Sequence, residues 1–595
     1  MTEEQKQDSQ AGSEFEREPV PQKSLLGFKS FVGMYAGEHC AGTELMIGPL
    51  FVAAGASAFD LVFGLILGNL LAVLSWVFLC APIATRTRLT LYYQLEKICG
   101  RKLVTLYNLA NGVMFCFLAG AMVTVSATAL GVWFNFDMPE LTDLYPNSVG
   151  WVLAVAVVGG VIAIVAAYGY QTVAKFANIA APWMVLVFLA FGLIGLRQFI
   201  VATNTEIGSA ADVWNLCKTT IWKGGEPLPG QTKFTIWHIT FFAWFCNMAM
   251  HIGMSDLSVF RFAKKSWYGS ASATGMYVGH FMAWIAAAML FAFQLHQTHP
   301  DDYMAELLVK NTSGKYTMES LEKASLTPEL IREAMEIENK MIEDGVLTEA
   351  KISVPTPLPG PLAHRAAGLV GLLCVIIAGW TTANPTIYRA GLAFQALAPK
   401  SSRFKVTLIT GAVATIAGMF PAIAMKLLGF VALYGLILMP MGAVIFVDFW
   451  LIRKFGLQSN YAEKSGKSFN LAAGLAWFVT LGIAWLLVQY GGVQIYFVSL
   501  PGWFVAAGIY IGVSHIYQKK VRPDGVADSR GKTPTNKLIA KVIALISLVV
   551  LTVMAILFLA GELELEQVKQ TMLVATVFWF IAAVFWMWKE DSQGA

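Results

Sequence analysis

GMYAGEHCAGTELMIGPLFVAAGASAFD, residues Gly33 to Asp60, is apolar and long enough to cross a bilayer, yet it contains Glu38, His39 and Glu44. Ionisable groups at membrane depth are costly, so they face a partner, a cavity or a transport path rather than lipid. Gly42, Gly48 and Pro49 lie among them, and a proline has no N–H to give to a continuous helix. Broken backbone at that depth is tolerated only where protein buries it or where it lines a water-filled cavity. A charged, interrupted first span is therefore a candidate binding site, with the rest of the chain as its scaffold.

The surrounding chain fits that reading. Of its 595 residues 56% are hydrophobic and 13% charged, against ~25% charged in an ordinary soluble domain, and its mean hydropathy is +0.60. This is the composition of a polytopic membrane protein, with the lipid bilayer as its first partner. The net charge of +4 reflects basic residues placed by topology; no basic face for nucleic acid is visible. Seven cysteines are scattered without a CxxC pair, which argues against a metal cluster or disulfide framework. Phosphate-binding loops and nucleophile constellations are missing as well, so neither an enzyme nor ATP coupling is expected.

Apolar runs of about 20 residues fall near 27–58, 60–85, 104–132, 149–169, 174–197, 233–262, 266–295, 362–395, 404–425, 427–452, 469–490, 496–517, 538–560 and 568–588. Alternate connections are basic: Arg86 to Lys102, Arg261 to Lys265, Arg389 to Lys405, Arg453 to Lys467, and Lys519 to Lys541. The positive-inside rule then places both termini in the cytoplasm of a multi-pass inner or plasma membrane protein. Residues 1–25 lack the apolar core of a signal peptide and read as a cytoplasmic tail. Residues 298–361 form a long polar connection with helical spacing, expected outside as a solvated helical insert over the outer mouth and closed by a stiff PTPLPGP linker.

Span six mirrors span one. FFAWFCNMAMHIGMSDLSVFRF carries His251, Gly253, Ser255 and Asp256 inside an apolar run. Paired interrupted spans at corresponding places in two halves point to a transporter site at the midplane. No internal sequence repeat is visible, so the pattern of breaks alone predicts five-plus-five inverted repeats, 26–200 and 201–455. Peripheral spans then occupy 456–588 and a short cytoplasmic tail 589–595. In span eight, CVIIAGWTTANPTIYRAGL, Thr381 and Thr382 place two hydroxyls side by side. With carbonyls freed by the break in span one they suit a hard cation such as sodium; alternatively, both hydroxyls bond back to carbonyls of their own helix.

Four stretches resemble the nucleobase–cation symporter-1 family, its purine/cytosine permeases especially: GLILGNLLAVLSWVFLCAPIATRTRLTLYYQLEKICG, HIGMSDLSVFRFAKK, GWTTANPTIYRAGL and MPMGAVIFVDFWLIRK. They stand in the family's order and span most of residues 30–455. The resemblance implies the sodium-coupled leucine-transporter fold and cation-coupled uptake of a nucleobase-like or related heterocyclic solute. Carried over by position, it implies a sodium site from the carbonyls of Gly42, Leu45 and Ala378 and the hydroxyls of Thr381 and Thr382. The chain also departs from the family. NLANGVMFCFLAG lacks the family's stacking tryptophan, leaving Phe115 or Phe117 to stack, with Asn111 one turn away. Asn384 is followed by Pro385, Ser258 stands at the family's aspartate with Asp256 two residues earlier, and Glu44 replaces a small residue.

Glu44 has three readings: proton carrier, counter-ion to a cationic solute, or partner of His251 or Asn247 on span six. The solute contacts expected are Glu44, Asn111, Phe115, Phe245, His251 and Asn384. Glu38 and His39 are expected nearer the cytoplasmic water in structural roles, and Asp448 and Arg453 at an inner gate. The chain thus reads as a symporter for a small nitrogenous solute, driven by sodium or proton through alternating access. Thr381 and Thr382 favour sodium; Glu44 and His251 favour a proton. An amino-acid or quaternary-amine carrier on the same fold, and a transporter-like sensor or scaffold, are the alternatives.

Overall fold

A computed structural model describes residues 15–518 apart from 141, 142 and 426, together with isolated positions beyond 542. The spans expected at 538–560 and 568–588 lie outside the described residues. Nine helices among the described residues are long and apolar enough to cross a membrane, and Glu44–Ala53 and Ile236–Phe245 are shorter apolar helices. The first twelve expected spans each coincide with a helix or a broken run of two or three helices.

Both predicted breaks are present. Span one runs as Phe28–His39 and Glu44–Ala53, separated where Cys40 leaves helical geometry at φ −94°, ψ 57°. A Cβ on Gly42 would stand 2.9 Å from Val125 Cγ1 and 3.2 Å from the Val375 carbonyl. Glycine there lets the break press onto spans three and eight. Span six is divided into Ile236–Phe245, Met248–His251 and Leu257–Phe260, with Met254 at φ +67° between the last two.

A glycine on span ten accommodates that second interruption. A Cβ on Gly442 would lie 1.9 Å from the Ile252 carbonyl oxygen, closer than any side chain can sit to fixed backbone. Gly442→Val is therefore expected to destabilise the fold by at least the ~1–3 kcal/mol typical of overpacking. Thermal unfolding of the purified protein measures it, and an unchanged melting temperature would mean that span ten does not seat against this break.

Two packing groups follow from the helix contacts. Span three (Arg101–Phe134), span four (Val149–Ala167), span eight (Pro359–Leu397) and span nine (Arg403–Gly418) pack together as a scaffold. Against them lies a bundle of spans one, two, six and seven, in which each broken span is backed by a continuous one: span one by span seven (Ser266–Gln297), span six by span two (Ala58–Thr87). Span five (Tyr170–Ala202) touches both groups. Spans eleven (Leu471–Gln489) and twelve (Ile495–Tyr517) pack on span ten, where the Tyr510 hydroxyl donates to Asp448 over 2.9 Å. Arg453 meets Ser459 at 2.9 Å.

The 298–361 insert is a small helical unit: Asp302–Asn311, Met318–Glu322 and Pro328–Glu343. Leu308, Leu321, Ile331 and Ala334 form its core and continue into Phe291 and Leu295 at the end of span seven. Buried Glu338 fixes its closing strand of chain by accepting from Tyr303 (2.9 Å) and the Lys351 N–H (2.7 Å). On the opposite, basic face the segment from Phe15 to Val20 crosses the helix ends. Phe15 O accepts from Arg261 (2.7 Å), Arg17 pairs with Glu96 (2.7 Å), and the Val20 N–H reaches Arg88 O (3.1 Å).

Candidate functional site

A cavity of about 50 Å³ lies between the two breaks. Span one contributes Glu38, His39, Thr43 and Glu44, and span six contributes Asn247 and Met250. Met122 of span three, His280 of span seven, Thr382 of span eight and Tyr434 of span ten close it. Side chains of spans one, three, six, seven, eight and ten thus meet at one point.

Glu44 is the first residue of the second half of span one and is 2% exposed. The N-terminal end of a helix carries partial positive charge, which favours a carboxylate there. Trp284 Nε1 donates to its Oε2, and His280 Nε2 lies 3.6 Å from Oε1. His280 stacks on Trp284 at 4.2 Å, packs on the His39 ring at 4.7 Å, and stands 3.4 Å from the Asn247 amide. The partners of Glu44 are therefore on span seven, and not His251 or Asn247 of span six, as one of its three readings has it. His251 instead bonds the Trp244 carbonyl at 3.1 Å, with its ring 4.5 Å from Trp76. Beyond the lining, behind Glu44, Phe51, Phe242 and Trp284 pack together with ring centroids 5.6–5.9 Å apart.

Toward the basic face the closure is ionic. Arg389 Nη1 meets Glu38 Oε1 at 2.5 Å, and its Nη2 meets Glu38 Oε2 at 3.2 Å and Asp256 Oδ1 at 2.8 Å. Asp256 Oδ2 also accepts from Tyr35 OH at 2.5 Å and Trp76 Nε1 at 2.7 Å. All three charged groups are at most 3% exposed. Two expectations are corrected here. Arg389 is not in a basic connection, because the helix of span eight continues to Leu397; seven residues past Thr382, it falls on the same stripe two turns on. Glu38 does not reach water, because that guanidinium holds it from the opposite side.

Both hydroxyls of the span-eight pair bond back to Ala378 O of their own helix, as the alternative reading has it, and Thr382 alone also reaches span one. Thr381 bonds back to Ala378 O at 3.0 Å, within its own helix. Thr382 Oγ1 lies 3.0 Å from Ala378 O and 2.9 Å from Glu38 O, so oxygens of two spans converge. Hydroxyl and carbonyl oxygens are the donor type a hard cation takes. Gly42 O accepts from the Leu45 N–H at 3.2 Å. The Leu45 carbonyl faces Pro49 one turn on, which has no N–H to give it.

The remaining expected contacts stand outside the cavity lining. Asn111 donates to Tyr92 OH at 3.0 Å. Phe115 packs behind Tyr434 with rings 4.9 Å apart, and Phe245 stacks on Trp244 at 4.7 Å. Asn384 is buried, its amide without a hydrogen-bond partner. His280 and Trp284 escaped the sequence reading. Their signal is a histidine and a tryptophan four residues apart inside one apolar run, hence on one helix face.

No family model matches the chain, and no curated protein matches it. Among solved structures it is similar to Mhp1, a nucleobase-cation-symport-1 family transporter in a closed conformation with bromovinylhydantoin bound. The TM-score is 0.55 at 14% identity, covering 84% of this chain and 94% of that one. It is also similar to a Na+-coupled sialic acid symporter in a substrate-bound outward-open state. There the TM-score is 0.52 at 13% identity, covering 86% and 94% of the two chains. The likeness is one of fold: an all-α polytopic membrane protein of the sodium-coupled leucine-transporter type, with five-plus-five inverted repeats.

Proposed function

We propose that the chain is a cation-coupled secondary transporter that takes up a small nitrogenous solute by alternating access, with both termini in the cytoplasm. The observation that carries this reading is the polar cavity where both span breaks meet, with the Thr382 oxygen cluster on its wall. At about 50 Å³ it is smaller than the few hundred Å³ of a typical ligand site. Solute entry therefore requires the bundle to part from the scaffold.

The lining narrows the solute class. In transporters of this architecture a half-helix N-terminus points at an anionic group of the solute; here Glu44 already places a carboxylate at that end. An amino-acid carboxylate would meet like charge, whereas N–H donors of a heterocycle would find an acceptor. A quaternary amine needs an aromatic cage, and Tyr434 is the one phenyl-type ring among the described lining residues. The favoured solute is a neutral or cationic heterocycle of nucleobase or hydantoin type that donates to Glu44 and pairs with Asn247.

Thermal stabilisation of the purified protein against purines, pyrimidines, hydantoins, vitamins and amines, each with and without sodium, tests the class, since native-state binding raises stability by mass action. A heterocycle whose shift grows with sodium is the expected result; stabilisation by amino acids or quaternary amines alone would overturn it. Within the cation site the two threonines should separate. Thr382→Val removes the hydroxyl that reaches span one and should raise the sodium midpoint by roughly tenfold or more, one charge-assisted contact. Thr381→Val should shift it less. Equal midpoints in Thr382→Val and wild type would exclude this cation site.

A further inference from the structure

We infer that Glu38, Asp256 and Arg389 are the charge partner of the coupling cation: the triad holds one net negative charge beside a cation site built of neutral oxygens, and so sets that site's affinity. The inference rests on the cation-coupled reading above and adds side-chain charges that are not among the cation's ligands.

Both carboxylates are met only by donors. Asp256 accepts from Arg389, Tyr35 and Trp76, and Glu38 accepts two guanidinium N–H groups. Two carboxylates against one guanidinium leave one negative charge. Arg261, the other fully buried guanidinium nearby in span six, is held by neutral acceptors: Ser258 O, Phe15 O and Tyr388 OH.

An uncompensated charge buried at membrane depth is costly. A cation close to the triad offsets that cost, and one residue shows where it would sit. Glu38 belongs to both constellations, its side chain to Arg389 and its carbonyl to the oxygen cluster with Ala378 O and Thr382 Oγ1. Those oxygens supply ligands but no charge; a monovalent cation among them would offset the excess charge of the triad. Cation loading then strengthens the closure that Arg389 makes between span eight and spans one and six.

Sodium titration of the purified full-length protein in lipid nanodiscs, read by tryptophan fluorescence and thermal shift, tests this without relying on transport. Asp256→Asn leaves Glu38 and Arg389 as a balanced pair and removes the excess charge. Its sodium midpoint should rise roughly tenfold or more, as expected for one unit charge lost within several ångströms at protein dielectric. Arg389→Lys keeps the charge while losing the fork geometry, and its midpoint should stay close to wild type. Glu38→Gln removes the same unit charge and takes the place of Asp256→Asn if that variant is not recovered folded. An unshifted midpoint in the neutralised variant would overturn the inference alone. Equal shifts in Asp256→Asn and Arg389→Lys would do the same, reducing the triad to a structural role. No sodium response in the wild type would overturn both the inference and the cation-coupled reading.

Discussion

Arg389→Leu should produce the largest loss of stability of any single substitution in the transport core. The guanidinium is fully buried and joins Glu38 of span one to Asp256 of span six. Removing one member of a buried ion pair costs about 3–5 kcal/mol, because the other is left charged and unpaired; here two carboxylates are left. The loss belongs to the pairing rather than to the volume of the side chain. Adding Glu38→Gln and Asp256→Asn to Arg389→Leu should therefore recover part of it, the coupling a mutant cycle isolates. Unfolding midpoints of the purified variants decide the matter. A triple variant no more stable than Arg389→Leu alone would show that packing, not charge, holds this junction.

Glu44→Gln should have the largest effect on solute binding. The carboxylate is 2% exposed, lines the cavity and takes its fixed hydrogen bond from Trp284. Glutamine keeps an oxygen for Trp284, so the fold is spared and the change falls on the solute. A hydrogen bond to a charged group contributes about 1.5–3 kcal/mol, or roughly a tenfold to hundredfold loss of affinity. Equilibrium binding of the heterocycle found by thermal shift measures it. Undiminished affinity would remove Glu44 from the solute site and return it to a structural role beside His280.

The fold was legible because its decisive features are local. Gly42 and the charges around it mark the first break, whereas Pro49 is absorbed inside Glu44–Ala53; His251 to Asp256 mark the second. The helical insert was legible in its charge spacing, and the structure gives it a core of its own on the end of span seven. The site was legible in part. Glu44 and Thr382 could be found because each is anomalous in its own stretch, a carboxylate or a hydroxyl pair in an apolar run. Their partners could not, since the choice of His280 and Trp284 over His251 depends on which span backs the broken helix. Arg389 misled for a physical reason. A lone arginine past an Asn-Pro pair looks like the end of a helix, yet Pro385 is absorbed in a helix that runs on to Leu397.

The central claim is that a cation gradient drives a solute through the cavity between the two breaks. Reconstituting the purified protein in liposomes and following the labelled heterocycle with an inward sodium gradient, against potassium on both sides, tests it most directly. Accumulation above the outside concentration that collapses when the gradient is dissipated, and that Thr382→Val abolishes, is the predicted result. Uptake that only equilibrates, with or without sodium, or saturable binding without flux, would contradict it.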